Sequence, residues 1–547
     1  MTMFTKKLLA ALWCRIGWLN DFFVFRRHAL PFSRYAASFS PAQEAPALLL
    51  VAGNGMNIMW AQLWPLLSLP LLRRGYRGLV LTYKRQRLLN AYYRLMHLER
   101  VFIDALEILP LSPDVLEQIE AAKHFDEYKN FKYKSAPVGQ IALSTYSRNV
   151  ISGVIRLDDP KVANYVKGWM RRVCQTIDAA EILFSKKNIQ VLYVTEVFME
   201  EYGAFYYAAL NARLNVVRFN GTVRDKAFVI QHLSRKNDRI HHASIDPTTW
   251  ENLKQRSDDE KIERELGQNF KDRYGDKWHR SKRNHANTRI LSIEEARTQL
   301  GIAPGRKVAV IYSHILYDTL FFFGTDLFKD YADWLVETTR AAIANPHLDW
   351  LIKVHPSNIW RGEINTQIKG NYEEERILSE KLGALPPHVR IVAADTGINP
   401  LTWFQLADYG ITVRGTSGLE MASFGKAVVT AGTGRYEGNG FTYDPKSIDE
   451  YLDMLKRLHE LPMLSAQQTC WAKRYAHALF VLKPYSFDFV STHLRFGAKK
   501  VSASDDLLYL PRQPENPQMP LSEDLENFGD WVLRPEEGDL LMSQSIS

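Results

Sequence analysis

The chain has 547 residues, 46% of them apolar and 24% charged, which argues against a disordered or fibrous protein and leaves room for more than one core. Its formal charge of +8 is modest for this length, and no nucleic-acid-binding motif accompanies it. Three cysteines, Cys14, Cys174 and Cys470, stand far apart with no CxxC or Cys/His cluster, so neither a zinc site nor a disulfide framework is expected, in keeping with a reducing cytoplasm.

Residues 1–45 form a basic, aromatic lead-in. Lys6 and Lys7 precede an apolar run, but Arg15 interrupts it and no small-residue cleavage site follows, so the segment does not read as a signal peptide. No window holds the ~20 apolar residues of a membrane span. Leu8, Leu12, Ile16 and Leu19 share one helical face, with Trp13 and Trp18 beside them. That pattern suits an interfacial amphipathic helix or a helix packed on the protein's own surface. Basic residues recur at Arg26, Arg27, Arg73, Arg74, Arg77, Lys84, Arg85 and Arg87.

Ala47–Val51 is a continuous apolar run that reads as a first buried parallel strand, bounded by Gly53-Asn54-Gly55. Trp60–Leu72 is an apolar helical segment containing Pro65 and Pro70. Gly78–Leu81, Ile189–Thr195 and Asn215–Phe219 read as further strands, with a helix Tyr202–Ala212 between the last two. This alternation predicts a doubly wound α/β domain over 46–285. A highly charged stretch, 257–288, reads as solvated helices ending in a linker, which places the boundary near His285. A second α/β unit, 286–500, follows with strands at Lys307–Tyr312, Asp349–Val354, Val389–Ala393, Gly410–Val413 and Ala427–Thr430, and a helix at Asp330–Asn345. The tail, 501–547, is acidic and contains proline.

Two strand ends carry the chemistry. The strand at 349–354 runs into His355-Pro356, and Gly410–Val413 runs into Arg414-Gly415-Thr416-Ser417-Gly418 at the start of a helix, expected at Leu419–Phe424. Carboxyl ends of parallel strands open onto the ligand crevice. Hydroxyls and unpaired N–H groups at a helix N-terminus suit a phosphate, although Ser and Thr are also ordinary N-caps. His314 and Asp318, one helical turn apart after the strand 307–312, are candidates for a base and its orienter. Glu196, directly after the strand 189–195, is a candidate base for an acceptor hydroxyl. Asn54, Gly55 and Asn57 are acceptor-side candidates, and the run Phe321-Phe322-Phe323 reads as a packed loop. Arg435, in the glycine-rich stretch 432–440, is a candidate phosphate or carboxylate clamp. No paired-acid motif calls for a metal.

The His355-Pro356 pair and the Thr416-Ser417 turn resemble the HP and S/T motifs of GT-B glycosyltransferases that use CMP-activated sugars, the bacterial sialyl- and Kdo-transferases. Over Val308–Asp444 the residues are most similar to the capsule polysaccharide biosynthesis family of Kdo transferases. The resemblance implies a GT-B fold of two Rossmann-like, doubly wound domains facing a central cleft, with 46–285 on the acceptor side and 286–500 binding the nucleotide-sugar. It assigns the donor phosphate to His355, Thr416 and Ser417 and the donor ribose to Glu420, and Pro356, Arg414, Gly415, Gly418 and Arg435 stand beside them as further donor-site candidates. It implies transfer of Kdo or another CMP-linked acidic sugar to a surface polysaccharide, capsule or lipopolysaccharide, or to its lipid-linked precursor, without metal or other cofactor. The expected setting is the cytoplasm, with peripheral contact to the inner membrane. Teichoic-acid glycerophosphotransferases have a similar arrangement, which leaves a CDP-glycerol- or ribitol-type polyol-phosphate transferase open. A non-catalytic partner in glycan assembly is the third reading.

Overall fold

Five consecutive apolar residues, Ala47–Val51, form β1 with every side chain buried, as a strand covered on both faces requires. With β2 (Arg77–Thr82), β3 (Glu99–Phe102), β4 (Ile189–Val194), β5 (Asn215–Gly221) and β6 (Phe228–Leu233) it makes a sheet in the order β3-β2-β1-β4-β5-β6. Neighbours are parallel, except that β6 runs antiparallel to β5. A second sheet holds β7 (Val308–Tyr312), β8 (Asp349–Lys353), β9 (Val389–Val392), β10 (Tyr409–Thr412) and β11 (Ala427–Thr430) in the order β11-β10-β7-β8-β9, parallel throughout. Both orders step outward from a central strand and then reverse. The reversal puts a switch point between β1 and β4 in one sheet and between β7 and β10 in the other, where α/β proteins take their ligands. Two such sheets on one chain make a GT-B-like fold. This computed structural model describes residues 3–54, 56–275, 277–278, 287–318, 320–356, 372–489, 491–494, 506–509 and 521–542, without the side chains of 3–18, 491–494 and 506–509. Gly55 and the boundary expected near His285 lie outside the described residues.

The lead-in is one long helix, Met3–Ala37. Phe25, Ala29 and Phe32 on one face are buried, and Phe22 and Phe25 meet Tyr92 edge-on at 5.1 and 5.2 Å. Its other face leaves Leu19, Phe23 and Val24 exposed beside Arg26 and Arg27. The apolar segment expected at Trp60–Leu72 is two helices, Ile58–Leu67 and Leu69–Arg73. The second begins at Ser68-Leu69-Pro70, where a proline in the first turn forfeits no helical hydrogen bond. Ile245, Trp250, Leu266, Phe270 and Tyr274 share a core with the second sheet's Val310 and Leu351. The charged helix Asp259–Tyr274 therefore packs on the second sheet, not on the first as its place before residue 285 implied.

Two features bind the halves. The run Phe321–Phe323 is buried in the seam, Phe321 against Phe125, Phe322 against Tyr207 and Phe323 against Phe198, so it is a packed loop. The tail helix Glu523–Val532 returns to the first domain, where Phe528 lies 6.2 Å from both Tyr193 and Phe219 and Asp530 pairs with Arg74 at 2.5 Å. Arg73 pairs with Glu526 and Arg77 with Glu99, so three of the recurring basic residues are engaged within the protein. Beyond the helix the chain lies along β6, where the His232 N–H donates to the Gly538 carbonyl and the Leu540 N–H to that of Ile230. There Lys483 Nζ and Asp539 Oδ1 form an ion pair of 2.7 Å with neither side chain exposed.

Candidate functional site

Three strand ends of the second sheet converge on one cleft. β7 ends at Tyr312-Ser313, β8 at Lys353 before Val354-His355-Pro356, and β10 leads into the helix Thr416–Ser423. That helix begins three residues before the expected Leu419, with Gly415 as its N-cap, so Thr416 and Ser417 occupy its first turn. The cleft measures about 660 Å³ including its open mouth, and His355, Pro356, Thr416, Ser417 and Glu420 all line it. Ser313 sets the His355 backbone: its hydroxyl accepts the His355 N–H at 3.0 Å and donates to Glu374 Oε1 at 3.2 Å.

The turn between β10 and the helix is held from beneath. His314 Nε2 accepts the Val413 N–H at 3.1 Å and lies 3.1 Å from Thr412 Oγ1, which in turn accepts the Gly415 N–H at 2.9 Å. An Nε2 that accepts a backbone proton leaves the ring proton on Nδ1. Burial, then Arg414, His355 and Arg435, hold the His314 pKa well below its ordinary value. His314 is thus a neutral positioning residue for the turn. The expected pairing with Asp318 is not formed, because the Asp318 carboxylate goes to Arg148 of the first domain. Gly415 and Gly418 are required by protein packing: a Cβ on Gly415 would meet Thr412 Oγ1 at 2.8 Å, and one on Gly418 would meet the Tyr436 hydroxyl at 2.2 Å.

Arg414 and Arg435 do not line the cleft. Arg414 is buried and bonded to Asp326 and to the Phe323 carbonyl. Arg435 donates to the carbonyls of Ala243 and Arg414, at 3.0 and 2.9 Å, and so fastens the glycine-rich loop to the seam. Both long cations reach inward, where the seam supplies acceptors. Glu420 does line the cleft, but its carboxylate is engaged: the Tyr274 hydroxyl donates to Oε1 at 2.5 Å and Arg273 Nε lies 3.3 Å away. Burial raises its pKa, and Arg273 and Tyr274 offset part of that rise.

Sequence reasoning missed Arg273, Tyr274, Lys353 and Trp403, which also line the cleft. Arg273 and Tyr274 end the helix Asp259–Tyr274, and Asn399 Nδ2 holds that end through the Tyr274 carbonyl at 2.9 Å. Lys353 had a signal: it is the single cation of β8, DWLIK, and immediately precedes Val354-His355-Pro356.

At the first sheet's switch point the loop after β1 meets the segment after β4. The Asn54 N–H donates to Glu201 Oε2 at 2.9 Å, and Arg85 Nη2 lies 3.4 Å from Asn54 Oδ1. Gly53 makes room for this contact, since a Cβ there would meet Glu201 Oε2 at 2.7 Å. Glu201 is 2% exposed, and burial pushes its pKa up to about 7 against the Asn54 hydrogen bond. Asn57 is instead the N-cap of the helix Ile58–Leu67, its side chain accepting the Met59 N–H at 2.8 Å. Glu196 is raised by burial and feels Arg148 and Asp318, so these three form a charged group across the seam. Among the described residues no group of three or more His, Cys, Asp or Glu side chains is set to hold a metal ion. None of their helices is long and apolar enough to cross a membrane.

No family model matches the chain, and no curated protein matches it. Solved structures do. The β-Kdo 2,4-transferase KpsC of Thermosulfurimonas dismutans is 15% identical over 53% of this chain and 80% of its own, with a TM-score of 0.30. A UDP-GlcNAc 2-epimerase of Neisseria meningitidis bound to UDP-GlcNAc is 12% identical over 79% of this chain and 97% of its own, with a TM-score of 0.25. A glycosyltransferase of Rickettsia africae is 10% identical over 80% and 95%, with a TM-score of 0.23. The strand orders of the chain itself identify its fold.

Proposed function

We propose that the chain is a nucleotide-sugar-dependent glycosyltransferase that moves Kdo or another CMP-linked acidic sugar to a bacterial surface polysaccharide or its lipid-linked precursor. The observation that carries the reading is the single cleft at the second switch point, which His355-Pro356 and the helix start at Thr416-Ser417 share. The donor phosphate sits at that helix N-terminus, where first-turn N–H groups, two hydroxyls and the helix dipole favour an anion. His355 contacts the same phosphate and stabilises the charge that develops as the nucleotide leaves. Tyr274, Tyr312, Trp403 and Phe404 give the cleft the aromatic walls that suit a base. The acceptor enters from the first domain, where Glu201, its pKa raised by burial to about 7, is in its carboxylate form the base for its hydroxyl.

Acceptors on lipid carriers place the enzyme at the inner membrane face, and the exposed Leu19, Phe23 and Val24 beside Arg26 and Arg27 suit peripheral contact there. Thermal-shift titration with CMP, CDP, UDP and GDP tests the donor assignment, because a ligand that binds only the native state raises its apparent stability. Selective stabilisation by CMP is the expected result, and selective stabilisation by UDP or GDP refutes it. His355→Ala is expected to abolish transfer with the fold intact, and wild-type turnover by that variant would remove His355 from the mechanism.

A further inference from the structure

The cleft is rich in hydrogen-bond donors and poor in acceptors. Its one carboxylate among the described residues, Glu420, is taken by Tyr274 and Arg273. The Tyr312 hydroxyl and the Trp403 indole N–H, both buried, have no hydrogen-bond partner among the described residues. Lys353, half-buried at the end of β8, also lines the cleft. Its ammonium lies 5.6 Å from the centre of the Trp403 ring, and no carboxylate among the described residues pairs with it. A ring face offsets only part of the lost hydration of an ammonium. Burial accordingly pushes the Lys353 pKa down to about 8. The other titratable or charged groups lining the cleft are Arg273, Tyr274, Tyr312, His355 and Glu420, and the Arg273–Glu420 pair is already neutral as a unit.

We propose that Lys353 is the cation that holds the anionic group of the ligand in this cleft, its ammonium forming an ion pair with a phosphate or carboxylate oxygen beside His355 and the Thr416–Ser417 helix start. The inference rests on the reading of the cleft as a donor site and adds a residue that the motifs do not contain. It also makes binding proton-linked. An anion beside Lys353 favours the ammonium, so a lysine that is partly neutral in the free protein takes up a proton when the ligand arrives. The uptake is a fraction of a proton per ligand at a pH near the lowered pKa of free Lys353.

The test is calorimetry near pH 8 in HEPES and in Tris, whose different ionisation heats reveal proton uptake. The probes are CMP, UMP, GMP, cytidine and inorganic phosphate, each against wild type and the variants Lys353→Met, Lys353→Gln and Lys353→Arg. Wild type is expected to take up a proton fraction with CMP and none with cytidine. The Met and Gln variants are expected to bind CMP ten- to a hundredfold more weakly, without proton uptake, while binding cytidine as wild type does. The Arg variant restores affinity but not the uptake, because its guanidinium stays charged. Lys353 dependence seen with phosphate alone, but not strengthened by a nucleoside, assigns the contact to a free anion and removes the nucleotide. CMP binding by the Met variant equal to wild type, or no uptake by wild type, overturns the proposal even if CMP is the preferred nucleotide. Preference for UMP or GMP with Lys353 dependence intact overturns the CMP reading alone. Binding of none of the probes overturns both.

Discussion

Asp539→Asn is expected to loosen the tail in a way that depends on pH. The variant removes the carboxylate that faces Lys483 at 2.7 Å in a region where neither side chain is exposed. Leaving one member of a buried pair uncompensated costs about 3–5 kcal/mol. The loss has a ceiling here, because Lys483 can shed its proton and stay bonded through its amine to the Ser244 carbonyl and to Gln231 Oε1. Deprotonating a lysine of ordinary pKa costs about 4 kcal/mol near pH 7.5 and about 1.4 kcal/mol near pH 9.5. The penalty should therefore fall by about 2.6 kcal/mol between those conditions. Urea denaturation at both pH values reads the global loss, and limited proteolysis with mass spectrometry reads release of residues 521–542. A loss under about 1 kcal/mol near pH 7.5, or one that does not change with pH, would refute the account of this pair.

Glu201→Gln is expected to remove a different pH dependence. Folding raises this acid from its ordinary value of 4.5 to about 7, so the folded state binds the extra proton and stability rises as pH falls through that window, by up to about 3 kcal/mol. Denaturation near pH 5 and near pH 8 should differ by that much more in wild type than in the variant, and equal differences would remove the effect. Ser313→Ala takes away the acceptor of the His355 N–H and should lower the affinity of the cleft for CMP about three- to tenfold, with the melting temperature lowered by a degree or two. Unchanged CMP affinity would separate the His355 backbone from binding. Flotation with anionic liposomes should occur at low salt and be lost at high salt, and Phe23→Glu should abolish it; a chain that does not float at low salt has no such contact.

The parallel strands were legible because strands buried on both faces read as apolar runs, as Ala47–Val51 and Val308–Tyr312 do. β3 was not, since its four residues, Glu-Arg-Val-Phe, form an edge strand with no buried residue. At the site, the strand ends at His355 and Thr416-Ser417 could be read locally, because what places them is the end of a strand. Tyr274 could not: it meets Glu420 across 146 positions of sequence, a contact made only by the packing of the helix Asp259–Tyr274. Arg414 shows the opposite failure. Its neighbours place it at the cleft, yet a side chain that long can turn away, and Asp326 and the Phe323 carbonyl draw it into the seam.

The return of the tail has a consequence for how the chain is made. Phe528 and Trp531 are buried in the core beside β4 and β5, some 300 positions later in sequence than the strands they cover. During synthesis at about 5–20 residues per second, the first sheet can pair its strands long before those side chains leave the ribosome. For that interval an apolar surface around Tyr193 and Phe219 stands open. The growing chain has to be kept from association through that surface until it provides its own cover, so chaperone contact should concentrate on intermediates ended between residues 235 and 520. Separating the first sheet from the tail would make that interval permanent for it.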